Sequence, residues 1–250
     1  MRVHWWPQGF TLEAYQVIVQ DMRLWRAFFN TVLYTSVTTV LMLITCVLAA
    51  FPLTYKGLKG RKYLTTFLLI PMFFSGGMIP SFLLILRLGL FDNPWSQIIP
   101  ACFSIWNIIL VRAYFNSISE SLRESAKIDG ANVYQILLKI YLPMSTTILA
   151  VIAIYTIVGI WNSWFNAMLY LPSVEWQPLQ LYLRRVLIEQ TENLMHILDP
   201  DAARELAMRQ MSNAQLRFAM IIFTSLPILL TYPFFQKYFI RGVMLGSLKE

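Results

Sequence analysis

The sequence predicts an all-α, polytopic membrane helix bundle, and three observations lead there. The chain is 57% hydrophobic and 15% aromatic, with a mean hydropathy of +0.56. Only 13% of its residues are charged, about half the share of a soluble domain. The charges also leave five windows empty: Ala27–Tyr55, Tyr63–Leu86, Asn93–Val111, Ile140–Val174 and Phe218–Gln236. Each reaches the ~19 residues that cross a ~30 Å hydrocarbon core. A lysine, arginine or aspartate at mid-span costs about 2.5–3.5 kcal/mol to insert, so the empty windows are informative. Five spans are expected, at about 27–52, 63–86, 94–112, 144–170 and 217–236.

A net charge of +7 would suit nucleic acid, but its distribution points to membrane orientation instead. Lys56, Lys59, Arg61 and Lys62 fill the first connection. Arg112, Arg123, Lys127 and Lys139 surround or occupy residues 117–143, and Lys237, Arg241 and Lys249 lie in the tail. By the positive-inside rule these three regions face the cytoplasm.

Taken in order, residues 1–26 are too short and polar to span. Trp5, Trp6, Phe10 and Tyr15 suit an interfacial position at the outer surface. The segment has neither a basic n-region nor a small-residue cleavage site, so it does not read as a signal peptide. The first span is rich in hydroxyls (Thr31, Thr35, Ser36, Thr38, Thr39, Thr45), which permit close helix packing and bond back to the backbone. In the second, Pro71, Ser75-Gly76-Gly77 and Pro80 predict a break. Cys46 and Cys102 fall within spans, where small apolar packing is expected of each. With His4 and His196 far apart, no metal site is expected.

Between the third and fourth spans lies a charged stretch, Ser117–Pro143, that describes two short helices. Ser117 with Glu120 and Ser121 with Glu124 have capping-box spacing. Asp129-Gly130 stops the first helix, because glycine takes the left-handed conformation a helix end needs. Val133, Ile136, Leu137, Ile140 and Tyr141 make the apolar stripe of the second, and Pro143 is expected to end it. On shape alone this is a solvated loop as readily as a docking element.

The fourth span ends in Trp161, Asn162, Trp164, Phe165, Asn166 and Met168. One reading is an interfacial aromatic belt with amides bonding neighbouring helices. The other is a substrate path, in which Trp161 and Trp164 stack on sugar faces while Asn162 and Asn166 bond hydroxyls. Residues 171–216 form the longest polar segment, an outer loop with a helix expected at 201–211.

The spacing Glu124-Ser125-Ala126, Gly130, Ile140, Leu142-Pro143, with Asp129 before the glycine, resembles the EAA loop of ABC-importer permeases. The one departure is Ser125, where the family usually has alanine. The tail from Thr231 (T-Y-P-F-F-Q-K-Y-F-I-R-G-V-M-L-G-S-L-K-E) is similar to that of polysaccharide-type and lipoprotein-type sugar permeases, within the maltose-permease family. Resemblance runs from about Trp5 to the end, so the chain looks like a six-span permease lacking its first span. It implies a permease of a type I ABC importer in a bacterial cell (inner) membrane, moving an oligosaccharide by alternating access. The implied partners are ABC ATPase subunits docked on the loop, a second related permease, and an extracytoplasmic solute-binding protein touching 171–216. No G-x-x-x-x-G-K-[S/T] run occurs, so ATP would be bound by the partner subunit and the chain itself would be neither an enzyme nor a cofactor binder. An amino-acid or peptide permease shares these features. So does a membrane scaffold or receptor docking a non-ATPase partner.

Overall fold

The computed structural model describes residues 12–74, 76–192 and 215–234, which form helices and connecting turns with no strand among them. After a short helix α1 (Glu13–Gln20), Asp21 caps the longest one, α2 (Met22–Ala50), by accepting from the Arg23 backbone N–H at 2.8 Å. Thr31, Tyr34, Thr35, Thr38, Met42, Cys46 and Ala50 mark its buried stripe at helical spacing. Thr31 and Thr39 bond back to Ala27 and Thr35 carbonyls at 3.0 and 2.7 Å, which satisfies their hydroxyls in an apolar setting.

The second window is two helices, α3 (Arg61–Phe73) and α4 (Met78–Arg87), bent by 114°. The break includes the expected Gly76-Gly77 step, where Gly77 has φ 87°. The third window differs from the expected single span. A short α5 (Trp95–Ile98) and a turn precede α6 (Ile105–Ser117), which Ser104 caps. Pro100 lacks the N–H that would continue α5, and in the turn that follows Thr45 of α2 donates to the Cys102 carbonyl at 2.6 Å. Cys46 is buried as expected, whereas Cys102 sits half-exposed in this turn and not inside a packed span.

The remaining helices are α7 (Glu120–Ile128), α8 (Val133–Met144), α9 (Thr146–Trp161), α10 (Phe165–Tyr170), α11 (Leu179–Glu192) and α12 (Gln215–Phe234). Only α2 and α12 are unbroken helices long and apolar enough to cross a membrane among the described residues, or four spans if α3–α4 and α8–α9 each count as one bent span. The five charge-free windows are thus not five continuous rods. Residues 144–170 are interrupted at 162–164, and the loop expected over 171–216 contains α11. The helix expected at 201–211, both histidines, and the terminal segments 1–11 and 235–250 lie outside the described residues.

One core joins the lower half of α2 to α6, α8 and α9 through Ala50, Val111, Phe115, Ile136, Tyr141 and Ile152. Its aromatic rings meet edge-on, Phe51 and Phe115 at 5.0 and 5.4 Å from Tyr141. At the opposite end, Ile18, Leu24, Trp161, Leu179 and Met220 form a second core. Here α2 is tied to an irregular segment. Asn30 donates to the carbonyls of Glu175 and Gln177 at 2.7 and 3.1 Å, and Tyr34 to that of Trp176 at 2.8 Å. The buried Thr31 hydroxyl accepts from the Leu179 backbone N–H at 2.7 Å.

That last bond gives a test. Thr31→Val keeps shape but strands a buried N–H, at a cost of about 1–3 kcal/mol. It is expected to lower the thermal midpoint in detergent by several degrees, while Thr31→Ser stays near wild type. Equal midpoints for the two variants would show that the tie contributes nothing.

Candidate functional site

The charged stretch 117–143 folds as a helix pair against the basic end of the bundle. Neither Ser117 nor Ser121 is the cap of α7. Ser119 is, accepting from the Ser121 backbone N–H at 3.3 Å, while Ser117 closes α6 by donating to the Tyr114 carbonyl at 2.7 Å. Burial of Ile118 between them sets the turn and moves the start of the helix past Ser117.

Gly130 behaves as its sequence context predicts, with φ 79°. Around it the hydrogen bonds form a Schellman motif: Ala131 donates to the Ala126 carbonyl at 2.8 Å and Gly130 to that of Lys127 at 3.0 Å. Asn132 and Gln135 then make a reciprocal capping box, each bond 2.8 Å. The helix does not stop at Pro143. A π-turn over Leu137–Tyr141 precedes it, and helical geometry continues to Met144. The i→i+5 pattern lets the chain absorb the N–H that proline lacks.

The motif residues divide into two groups. Glu124, Ser125, Asp129, Gly130 and Pro143 are exposed. Ala126, Ile140 and Leu142 are half-buried against the core of α2, α6 and α9. Large apolar side chains also stay at the surface of the pair, Ile128 at 86%, Tyr134 at 75% and Val133 at 61% exposed. Such exposure is unusual beside so many charges.

A charged clamp holds the pair in place. Lys56 donates to one Glu120 oxygen, and Arg123 to the other at 2.6 Å. Arg123 is buried, its guanidinium 5.2 Å from the Tyr55 ring centre, and the Lys127 ammonium lies 4.9 Å from the same ring. The Lys56 hydrogen bond, with the charges of Lys56 and Arg123, holds the Glu120 carboxyl below its ordinary range. A lowered carboxyl pKa means the clamp is intact at neutral pH and is lost in acid, as pH falls through that lowered value. The Glu120–Arg123 half has helical i,i+3 spacing. The half contributed by Tyr55 and Lys56 comes from 64 residues away and has no local signal. It also places the basic first connection and the charged stretch on one side of the bundle.

The four candidate path residues are not brought together. The helix carrying them breaks after Trp161, where Asn162 caps it: its backbone N–H and its side-chain amide both donate to the Val158 carbonyl, at 3.2 and 2.9 Å. The four residues therefore do not lie on one continuous helix. Trp161 is buried and donates to the Thr224 carbonyl at 3.0 Å, edge-on to Phe28. Asn162 is exposed, facing Gln180 at 3.5 Å. Trp164 lies 3.5 Å beneath the Arg184 guanidinium. Asn166 lines a cavity of only about 30 Å³ with Tyr34, Gln97 and Ser163.

This architecture has known counterparts. The sequence profile of the family described as the binding-protein-dependent transport system inner membrane component matches residues 23–245. Protein LplC of Bacillus subtilis (strain 168) is 36% identical over 250 residues, covering 97% of this chain and 80% of that protein. The polygalacturonan/rhamnogalacturonan transport system permease protein YtcP of the same organism is 35% identical, covering 97% of this chain and 83% of that protein. A chain from the crystal structure of a bacterial ABC transporter involved in the import of the acidic polysaccharide alginate superposes with a TM-score of 0.84. It is 35% identical, over 96% of this chain and 83% of that one.

The Gly130 turn yields a second test. A Cβ there meets nothing within 4 Å, so any cost is backbone strain alone. Asparagine tolerates the left-handed region and valine does not. Gly130→Val is expected to speed hydrogen exchange of the Ala131 amide roughly tenfold, and Gly130→Asn to leave it nearly unchanged. Identical exchange in both variants would exclude the strained turn.

Proposed function

The chain belongs to the family of inner membrane components of binding-protein-dependent transport systems, and on that footing we propose that it is the permease subunit of an ATP-driven importer moving an oligosaccharide inward. It is a membrane transport component, not an enzyme. The observation that carries the reading is the helix pair at 117–143. Its inward side is locked to α2, α6 and α9 by apolar packing and the Glu120 clamp. Its outward side offers Glu124 among exposed apolar side chains. Such a pair transmits a push from a docked protein into the bundle instead of flexing.

In this reading a cytoplasmic ATPase docks on α7 and α8, and its closure on ATP moves them. The motion reaches α2 through Tyr55, Lys56 and the shared core, and the bundle rocks to open outward. A solute-binding protein delivers the sugar at the opposite end, near residues 171–182. A second, related permease completes the pathway against the exposed apolar faces of α3 and α4, where Tyr63, Phe67, Phe73 and Ile79 stand in the open. The oligosaccharide assignment is supported by the substrates printed in the names of YtcP and the alginate importer. The aromatic and amide side chains at 161–166 remain a candidate contribution to the path, with Asn162 and Trp164 better placed than the buried Trp161.

Glu124→Lys reverses charge at the proposed contact, and Ile128→Asp places a charge in its apolar part. Each is expected to reduce ATPase retention on the purified permease at least about tenfold, since burying an unpaired charge costs several kcal/mol. Sugar uptake into reconstituted vesicles should fall in parallel. Wild-type retention and uptake in both variants would overturn the importer reading.

A further inference from the structure

A large open cavity lies at the end of α2 away from the helix pair. It measures about 930 Å³ and is lined by Arg23, Trp25, Arg26, Phe29, Asn30 and Glu175, among others. Arg23 and Arg26 stand one turn apart at the helix N-terminus, where the backbone dipole disfavours cations and like charges at i,i+3 repel. Neither guanidinium has an ion-pair partner among the described residues. The carboxylate of Asp21 is engaged, accepting from the Arg23 backbone N–H and the Tyr182 hydroxyl. Glu175 on the facing wall forms no ion pair with them. Both side chains are exposed and solvated, so what they offer is two unpaired guanidiniums on one wall of an open cavity that an anion can enter.

The other walls say which kind. Phe29 is exposed within the cavity, its ring 6.3 Å from that of Trp25, so two aromatic surfaces adjoin the cationic pair. Asn30 uses its N–H groups on the Glu175 and Gln177 carbonyls and keeps its Oδ1 as a hydroxyl acceptor. Arginine binds carboxylates bidentately, and flat apolar rings stack on the C–H faces of sugars. A volume of this size holds several sugar rings.

We propose that this cavity is an entry site for carboxylated oligosaccharides, in which Arg23 and Arg26 bind sugar carboxylates and Trp25 and Phe29 support the rings. The assignment rests on the importer reading above and adds the substrate class and the residues that select it. The site lies at the mouth facing the binding protein, so it selects before the substrate enters the bundle. Glu175 opposes the anion and tempers its affinity, which favours release onward.

The test uses the assembled importer in nanodiscs of zwitterionic phosphatidylcholine, with trigalacturonate as probe and neutral maltotriose as control. Trigalacturonate is expected to bind with an affinity that weakens as salt rises. The double variant Arg23→Gln/Arg26→Gln should weaken it about tenfold while leaving maltotriose within about twofold. Glu175→Gln should strengthen trigalacturonate binding about twofold. Equal losses for both sugars, or no loss for either, would overturn the proposal. So would unchanged trigalacturonate binding together with reduced retention of phosphatidylglycerol, which would make the pair a lipid anchor. Vesicle uptake separates the two readings. Charge-dependent binding without ATP-driven uptake keeps the site and sinks the importer. ATP-driven trigalacturonate uptake that ignores the double variant keeps the importer and sinks the site.

Discussion

A chain crossing hydrocarbon must find a partner for every backbone donor and acceptor, and that constraint organises this bundle. The helices here are repeatedly broken, after Phe73, between Ile98 and Ile105, and after Trp161. Each break frees backbone groups that lipid cannot satisfy. The polar side chains of α2 meet much of that need. Thr45 bonds the turn before α6, while Asn30, Thr31 and Tyr34 bond the segment 175–179. One long helix thereby fixes the irregular parts that neighbouring helices would otherwise leave unsupported. Its hydroxyl-rich sequence follows from that task as well as from close packing.

The same helix links the two ends of the molecule. At its basic end the Glu120 carboxylate is shared by Lys56 and Arg123, and Tyr55 lies against two cations of the helix pair. The exposed Lys56 contact is worth little by itself. Arg123 is different, because it is buried, and losing its carboxylate partner would leave a charge without compensation. Together with Ile136, Leu137 and Tyr141 in the core, this makes the helix pair a rigid extension of the bundle. About 40 Å away along α2, at a rise of 1.5 Å per residue, lies the cavity with its unpaired arginines. In the proposed importer, a push at one end and a ligand at the other would act on this one element.

Much of this was legible in the sequence. Absence of charge located the apolar helical segments, of which α2 and α12 are unbroken and long enough to cross a membrane among the described residues. Gly130 declared its left-handed turn, because the Asp-Gly step and the flanking periodicities leave few alternatives. The helix pair itself was readable from residues within reach of one another. Where reading failed, the deciding contact was distant or two local signals competed. Ser117 and Ser121 have capping-box spacing, but with Ile118 buried the cap is Ser119, which that spacing does not single out. Asn162 interrupts an apolar run that otherwise reads as one continuous span, so the four candidate path residues fall on either side of a break that the run does not announce. Tyr55 read only as the end of the first charge-free window and Lys56 as part of the basic first connection, until the fold placed them on Arg123 and Glu120.

The central claim is that the outward side of this helix pair is an ATPase-docking surface. A photo-crosslinking amino acid at Ile128, the most exposed large apolar residue of the pair, reports directly on what covers it in native membranes. The account predicts one dominant adduct, to a cytoplasmic ATPase subunit, and its loss when that subunit is absent. Adducts only to lipid, or to a protein on the outer face, would contradict it.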